Sequence, residues 1–541
     1  MAATPENPII FYDLINVNGV HWSPNTYKTR LCLEYKKLPY RIEYFTLPEI
    51  ESKMKELGVP PIKDTSPQYT LPVIADPSDD PREKPHYIGD SFKIAVYLDE
   101  KYPAPRHPAI FNSGARSIEH LFIHQYLPTV ARAGSAVVMP KLGHILDKES
   151  VEYIKRTRGD LFNPLPEQEA EEKWKAFREK FFDIGMSLDY RDEGGPFIAG
   201  SRPTMIDFAI GGWFHLLQRI EPSELEHILD WHDGRWRLFW EHIQDIAGRS
   251  PRGMGTLASV VNCRHIHQLT AIFKASVISA SVLLSMAATK ENPIIFYDLH
   301  DGKGASWSPN PYKTRMCLIH KGLPYQVEYL SFPEVEPKLK ELGVPPTSEN
   351  FPYYTLPVIA DPSSDPHGKP TYVAESFAIA IYLDEKYPAP EYPAIFPSGT
   401  RGVQHLLVNQ YFPGFVTLLL PLLYPKLPQL IDEQSMEYVR RTRPLEMLKP
   451  LPKEEEIKKW QDVRDKFSIL AKGLDLNGGD TFIMGSQPSF IDFVFGGVFF
   501  YIEKLDSSRM KEIATWHDGK WGKYWERLQA IERGPSRVEQ A

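Results

Sequence analysis

The stretch that decides the fold is PIIFYDLINVNGVHWSPNTYKTR, residues 8–30, which returns as PIIFYDLHDGKGASWSPNPYKTR at residues 293–315. Each copy begins with a short apolar run, which predicts a buried strand at 8–12. A polar loop containing glycine follows and ends at a Ser-Pro pair, a pattern typical of a helix start. The residues after Ser23 therefore predict a helix over 25–37.

The repetition extends over the whole chain with one offset. Ser23 recurs as Ser308 (308 − 23 = 285), and the same offset relates YTLPVIADP at Pro72 to its copy at Pro357. FIAGSRPTMIDF returns as FIMGSQPSFIDF at this offset as well. A constant offset means no net insertion between these landmarks, and so long a period indicates duplication of a whole multidomain unit rather than a solenoid.

The order of patterns within one copy predicts the fold class. After the first helix come patterns for a strand at 40–45, a helix at 48–57, strands at 71–75 and 87–88, and a helix at 91–102. The order β-α-β-α-β-β-α is the thioredoxin-like arrangement. Beyond residue 110 the patterns are almost wholly helical, and such segregation indicates a second, all-helical domain.

We therefore predict a chain of class α/β plus all-α, made of two tandem units. Each unit has a thioredoxin-like N-terminal domain followed by a helical C-terminal domain. The predicted bounds are 8–106 and 110–250 in copy 1, a connector at 251–285, and 293–391 and 395–535 in copy 2.

The connector differs in composition from both copies. It has no acidic residue and ends in a run of Ser, Val, Ile and Leu. We interpret it as a loose linker; the joining of two neighbouring genes in one gene model is the alternative, because Met286 restarts the Met-Ala-Ala-Thr of the N-terminus. Its Cys263, His265 and His267 lack the fourth ligand of a tetrahedral zinc site, so we predict no metal.

Composition excludes several classes of function. The 541 residues are 42% hydrophobic and 24% charged, enough to bury several cores, and the net charge of -8 without a Lys/Arg-rich run argues against nucleic acid. Three scattered cysteines and an N-terminus without a signal-peptide pattern predict a cytoplasmic location. We find no run of the ~20 apolar residues that a membrane helix needs, and predict no membrane partner.

Three short motifs in each copy could carry chemistry, and each also has a purely structural interpretation. Ser23-Pro24-Asn25 and Ser308-Pro309-Asn310 fit a helix N-cap, but a hydroxyl or amide donor at a helix N-terminus also favours a thiolate. Pro72 and Pro357 stand at the head of a predicted internal strand, which is awkward for proline unless it lies at an edge or turn. The acid-Ser pairs Asp90-Ser91 and Glu375-Ser376 each open a helix, as capping residues do.

With these motifs in this order, each copy resembles cytosolic glutathione S-transferases, and WSPN-x-YKTR is similar to serine-type transferases of fungi related to bacterial beta-etherases. The resemblance implies glutathione as co-substrate and Ser23 and Ser308 as activators of its thiol, with Asn25 and Asn310 as rival or auxiliary donors. It also implies a cis proline whose preceding residue pairs through its backbone with the cysteinyl part of glutathione. The acid of each acid-Ser pair would take the γ-glutamyl ammonium and the serine its carboxylate. The implied binding residues are Leu71, Pro72, Asp90, Ser91, Leu356, Pro357, Glu375 and Ser376.

The function expected from the resemblance is transfer of glutathione to a hydrophobic electrophile. A glutathione-dependent beta-etherase or isomerase and a non-catalytic ligand-binding module are the alternatives. Such units usually pair, so we expect an internal pseudo-dimer or a homodimer. The Leu-rich run at 415–423 of copy 2 corresponds in the repeat to a stretch of copy 1 with Ala and Val at 130–137. This difference predicts different acceptor pockets in the two copies, unless the leucines are core residues. We interpret Asp207 and Asp492 as capping-box folding determinants, and Cys32 and Cys317 as core residues.

Overall fold

The computed structural model describes residues 3–62, 67–78, 80, 82–190, 194–248, 288–349, 351–363, 365, 368–477 and 482–534. The predicted connector at 251–285, with Cys263, His265 and His267, lies outside the described residues.

A four-stranded mixed sheet forms the first half of copy 1. Its order is β2-β1-β3-β4, with β1 parallel to β2 and antiparallel to β3, and β3 antiparallel to β4. This confirms the thioredoxin-like prediction. The strands are β1 (Ile9–Leu14), β2 (Tyr40–Phe45), β3 (Val73–Asp76) and β4 (His86–Gly89).

Three helices pack with this sheet: α1 (Pro24–Tyr35), α2 (Ile50–Leu57) and α3 (Ser91–Lys101). The helix expected at 48–57 instead opens with a 3-10 turn at Leu47–Glu49. A capping box starts this turn, in which Thr46 N donates to Glu49 (2.7 Å).

The second half of copy 1 is helical, as predicted. The described helices are α4 (Arg116–Leu121), α5 (Leu127–Leu142), α6 (Lys148–Arg158), α7 (Glu167–Ser187), α8 (Met205–Ile220), α9 (Pro222–Leu229) and α10 (Trp231–Ile246). A π-helical turn, Phe122–Tyr126, joins α4 to α5.

Copy 2 repeats both halves. Its sheet has the order β6-β5-β7-β8, with β5 (Ile294–Leu299), β6 (Tyr325–Leu330), β7 (Val358–Asp361) and β8 (Thr371–Ala374). Its helices are α11 (Pro309–His320), α12 (Phe332–Glu341), α13 (Ser376–Lys386), α14 (Arg401–Leu406), α15 (Phe412–Leu423), α16 (Glu433–Thr442), α17 (Lys453–Asp475), α18 (Phe490–Leu505) and α19 (Ser507–Glu532). A π-helical turn recurs at Leu407–Tyr411.

Buried capping boxes start α8 and α18. Asp207 is fully buried and accepts from Thr204 N (2.8 Å), Thr204 Oγ1 (3.0 Å) and Ile198 N (2.8 Å). Asp492 accepts likewise from Ser489 N and Oγ (2.9 Å each). The predicted boxes are thus confirmed, and each carboxylate satisfies several donors that would otherwise be buried unpaired.

The described residues divide into two compact units. Unit 1 holds those of Met1–Ser250, Pro397–Pro413 and Lys472–Gly485; unit 2 holds those of Pro251–Phe396, Gly414–Ala471 and Ser486–Ala541. Two segments of copy 2 therefore belong to unit 1, where Asn477 Nδ2 donates to Gly114 O (3.0 Å).

One helical stretch bears on the expectation that no segment is apolar and long enough for a membrane helix. Within the described residues, Arg401–Gln429 meets that criterion by length and composition, because the helix continues across its polar residues. Core helices of soluble proteins meet it too. The buried core residues of this stretch include Phe415, Leu419, Leu422 and Leu423.

Candidate functional site

Ser23 and Ser308 stand immediately before α1 and α11. Both have extended backbones and are almost buried, with 5% and 6% of their surface exposed. Neither side chain makes a capping hydrogen bond, and proline follows each in the first helical position. The structural interpretation of these serines as caps is therefore not supported, and the hydroxyl at the helix N-terminus is not used by the helix itself.

The first turn of α1 is held by close contact with α8. A Cβ atom built on Gly212 would lie 2.5 Å from Pro24 O, and one on Gly497 would lie 2.7 Å from Pro309 O. No side chain fits at such distances, so glycine lets a helix of the second domain touch the turn that carries the serine. The helical domain thereby fixes the position of the Ser23 hydroxyl.

Gly212→Ala is expected to lower the free energy of unfolding by about 1–3 kcal/mol, because the added methyl group must push Pro24 away from α8. Thermal denaturation measures the loss. Gly414→Ala is the matched control, since a Cβ there meets nothing within 4 Å and alanine favours helix. Equal effects of the two substitutions would contradict the close-contact argument.

Asn25 and Asn310 lie in the first turns of α1 and α11 and are exposed. Within the described part of the chain, no hydrogen bond engages either amide. Both therefore stay alternative thiolate donors.

The predicted cis peptides are present at Leu71–Pro72 and Leu356–Pro357. Pro72 O accepts from Asp90 N (3.3 Å), and Pro357 O accepts from Glu375 N at the same distance. No hydrogen bond among the described residues engages the backbone of either leucine. Backbone hydrogen bonds thus join the cis-proline motif to the acid-Ser motif in each copy, and the leucine backbones are available to a ligand.

Asp90 and Glu375 cap the helices that follow them, as their structural interpretation expects. One oxygen of Asp90 accepts from Phe92 N and Lys93 N (3.0 Å each), and one of Glu375 accepts from the matching amides at 3.0 Å. Both residues have left-handed backbones, with φ of 76° and 74°. That conformation costs a non-glycine residue about 1–3 kcal/mol and is concentrated at functional sites, so capping alone does not account for it.

The acid-Ser motif differs between the copies in its second carboxylate oxygen. Ser376 Oγ donates to the free oxygen of Glu375 (3.2 Å). In the described part of copy 1, no hydrogen bond engages Oδ2 of Asp90. The shorter side chain of Asp90 therefore caps its helix equally well and keeps one oxygen available.

Sequence reasoning missed Lys28 and Lys313, the lysines of the two YKTR motifs. Lys28 lies on α1 with only 7% of its surface exposed. Burial lowers the pKa of Lys28 to about 8, and the negative charge of Asp90 partly offsets this shift by raising the pKa. Burial also lowers the pKa of Lys313, opposed by Glu375. The signal in the sequence was a lysine retained among core residues of the same helix in both copies.

A histidine pair covers the start of α3 in copy 1. The rings of His120 and His124 stack at 4.1 Å, and both meet Phe92 edge-on, at 5.2 and 5.5 Å. Burial lowers the pKa of His120 to about 4 and also lowers that of His124, so both are neutral at pH 7. In the sequence repeat His124 corresponds to Asn409, which is a further difference between the copies.

The Leu-rich run of copy 2 is mainly core. Phe415, Leu419, Leu422 and Leu423 are buried, whereas Leu418 and Leu420 are half-buried. In copy 1, Val130 and Val137 are buried, and Ala131, Ala133 and Ala136 are half-buried. Different acceptor pockets stay a prediction that rests on the half-buried positions.

Cys32 and Cys317 are fully buried and form no disulfide. Burial raises the pKa of both thiols, which keeps them protonated and unreactive. Among the described residues, no group of three or more His, Cys, Asp and Glu side chains could hold a metal ion. The expectation of no metal stays a prediction.

Two family models match the chain, each of them twice. The model described as "Glutathione S-transferase, N-terminal domain" matches residues 22–101 and 307–386. The model described as "Glutathione S-transferase, C-terminal domain" matches residues 117–245 and 402–530. Together they cover well over half of the chain.

Several similar proteins come from fungi. The "Glutathione S-transferase-like protein ustS" of Aspergillus flavus is 31% identical over 254 residues, which span 44% of this chain and 91% of that protein. The glutathione S-transferase CsGST63524 of Ceriporiopsis subvermispora, solved in complex with glutathione, is 32% identical over 45% of this chain and 99% of its own, with a TM-score of 0.41. Glutathione transferase GSTFuA2 of Phanerochaete chrysosporium is 30% identical over 45% of this chain and 99% of its own, with a TM-score of 0.39.

Proposed function

The chain belongs to the glutathione S-transferase family, and from that premise we propose that it is a glutathione transferase with one glutathione site in each copy. Each thioredoxin-like domain binds glutathione, ionises its thiol beside Ser23 or Ser308, and presents the sulfur to an electrophilic carbon of a hydrophobic small molecule.

The observation that carries this proposal is the uncommitted serine hydroxyl at the start of α1 and α11. A buried hydroxyl that does not cap its own helix can donate to a thiolate, and the helix N-terminus behind it adds positive potential. A free thiol has a pKa of about 8.5, so lowering it by one or two units makes most of the thiol nucleophilic at neutral pH.

The remaining motifs account for the rest of glutathione. The backbone of Leu71 or Leu356 pairs with the cysteinyl residue. Asp90 or Glu375 takes the γ-glutamyl ammonium, and Ser91 or Ser376 takes its carboxylate with the N-terminus of the helix. The left-handed backbone of Asp90 and Glu375 supports this assignment, because it holds the acid at the junction of the strand and the helix.

The reaction proceeds without a further cofactor. The thiol loses its proton to solvent, the sulfur forms a C–S bond with the electrophilic carbon, and the leaving group departs with its bonding electron pair. For an addition to an activated alkene, the resulting carbanion takes a proton from water instead.

A panel assay of the full chain tests the proposal. We expect thioether products from glutathione with an aryl halide or an enone, detected by mass spectrometry, above a control without enzyme and with competition by S-methylglutathione. Release of a phenol from a beta-aryl ether alone would assign the beta-etherase alternative. Glutathione binding without turnover of any compound would identify a non-catalytic module and overturn the proposed enzyme.

The assembly and location of the protein stay predictions. Pairing as an internal pseudo-dimer would make the chain elute as a monomer in size-exclusion chromatography, whereas a homodimer would elute at twice that mass. The cytoplasmic location and the absence of membrane and nucleic-acid partners are to be tested by fractionation.

A further inference from the structure

We propose that Lys28, and Lys313 in the second copy, bind the α-carboxylate of the γ-glutamyl residue of glutathione, and so complete an anion subsite at the start of α3 and α13. The inference rests on the proposed function. It adds a cation, inside the first helix, to the serine and the helix N-terminus.

The first argument is that Lys28 has no partner. The residue is 7% exposed, yet within the described part of the chain no hydrogen bond or ion pair joins it to another residue. A buried ammonium without a partner is costly, and such a group is a candidate for a functional site. The two other buried lysines with matched positions, Lys36 and Lys321, are paired instead with Asp99 (2.7 Å) and Asp384 (2.8 Å).

The second argument is location. Asp90, the N-cap of α3, is the acidic group whose charge acts on Lys28, and Glu375 acts on Lys313 in the same way. Helix α1, which carries Lys28, packs against α3, whose N-terminal backbone N–H groups favour an anion. One oxygen of Asp90 accepts hydrogen bonds from the backbone of its own helix. Asp90 forms no ion pair with Lys28 at 4.0 Å or less, so it does not neutralise the ammonium.

The third argument is charge balance in the bound ligand. The γ-glutamyl residue carries one ammonium and one carboxylate on the same carbon atom. Asp90 and Lys28 offer one negative and one positive charge at neighbouring positions. Opposite charges on protein and ligand would then pair without leaving a buried charge uncompensated.

Titration calorimetry on the full chain tests the assignment with three ligands. The ligands are glutathione, γ-aminobutyryl-Cys-Gly, which lacks the α-carboxylate, and glutaryl-Cys-Gly, which lacks the ammonium. Lys28→Met should weaken glutathione binding at one of the two sites by about tenfold, and Lys28→Met with Lys313→Met should weaken both, as loss of a charge-assisted hydrogen bond predicts. Binding of γ-aminobutyryl-Cys-Gly should not change.

Two controls separate binding from folding. Lys93→Met removes an exposed lysine from the first turn of α3, where copy 2 has alanine, and should leave affinity unchanged. Lys28→Arg keeps the charge and should retain more affinity than Lys28→Met. Because Lys28→Met removes an unpaired buried charge, its midpoint of thermal unfolding should rise, whereas loss of a structural contact would lower it.

The outcomes distinguish this inference from the proposed function. If the unmodified chain does not bind glutathione, the proposed function fails. If it binds, but Lys28→Met weakens γ-aminobutyryl-Cys-Gly as much as glutathione, Lys28 acts on Asp90 rather than on the carboxylate and the inference is overturned. Unchanged glutathione affinity in the double variant overturns it as well.

Discussion

Replacing Ser23 and Ser308 together by alanine is expected to lower kcat/KM for glutathione conjugation by about 100-fold with almost no loss of stability. The activity falls because a hydrogen bond to a charged group contributes about 1.5–3 kcal/mol, equal to a factor of ten to a hundred or more. Stability is kept because neither hydroxyl caps its helix. The two effects together separate a thiolate donor from a cap.

The thiol pKa of bound glutathione gives the direct measurement. In the double alanine variant this pKa should rise towards the value of the free thiol, about 8.5. The acid limb of the pH–rate profile should then move to higher pH by about one to two units. Ultraviolet absorbance of the thiolate follows this titration in the complex. Ser23→Thr with Ser308→Thr keeps the hydroxyls and should retain most of the activity.

Asp147→Ala is the matched control for capping. Asp147 is an N-cap whose side chain does bond its helix, accepting from Ser150 N at 2.7 Å. Its removal should cost about 1 kcal/mol of stability with no change in the bound thiol pKa. If the serine double variant instead loses stability and keeps activity, the serines are caps, and Asn25 and Asn310 become the candidate donors.

The sequence predicted the order of elements because repetition and hydrophobic pattern are local properties. The strand at 40–45 was predicted to the residue, and the capping boxes were expected from motifs of a few residues. The cis prolines were expected from the family resemblance. The errors of prediction occurred at the ends of helices and strands, because backbone hydrogen bonds determine where these elements begin and end. The second helix of copy 1 begins with a 3-10 turn at Leu47–Glu49, which no apolar pattern indicates.

The site was only partly predictable because its assembly depends on contacts distant in sequence. Nothing near Ser23 indicates that Gly212 touches Pro24, or that the hydroxyl is not used in capping. Lys28 was missed for the same reason, since a lysine in a helix is ordinarily exposed and its burial is visible only when α1 has packed. Comparison of the copies offered a signal that the sequence analysis did not use, because both copies keep the lysine at the same position of the helix.

Asp207→Ala is expected to destabilise the protein by about 3–5 kcal/mol, the largest stability effect of any substitution argued for copy 1. The fully buried carboxylate satisfies Thr204 N, Thr204 Oγ1 and Ile198 N, and alanine would leave these donors unpaired in the core. Thermal and urea denaturation measure the loss. Asp492→Ala should act similarly on copy 2, where the hydroxyl of Tyr524 also donates to the carboxylate (2.8 Å).

The pH dependence of this loss has a definite sign. Burial raises the pKa of Asp207 to about 6, above the ~4 of an unfolded chain, so the folded state holds the proton more tightly. The stability from this proton is fully present below about pH 4 and is lost as pH rises through about 6. Asp207→Asn is always neutral, so its deficit relative to the unsubstituted protein should shrink over that range.

The exposed capping box at Thr46 and Glu49 shows why burial, and not capping alone, makes the effect large. Glu49 accepts from Thr46 N (2.7 Å) and Thr46 Oγ1 (2.8 Å), the same pattern that Asp207 has, but at the surface. Water replaces the lost acceptor there, so Glu49→Ala should cost only about 0.5–1 kcal/mol. Similar losses for Asp207→Ala and Glu49→Ala would contradict the argument, because unpaired donors in the core would then cost no more than donors in water.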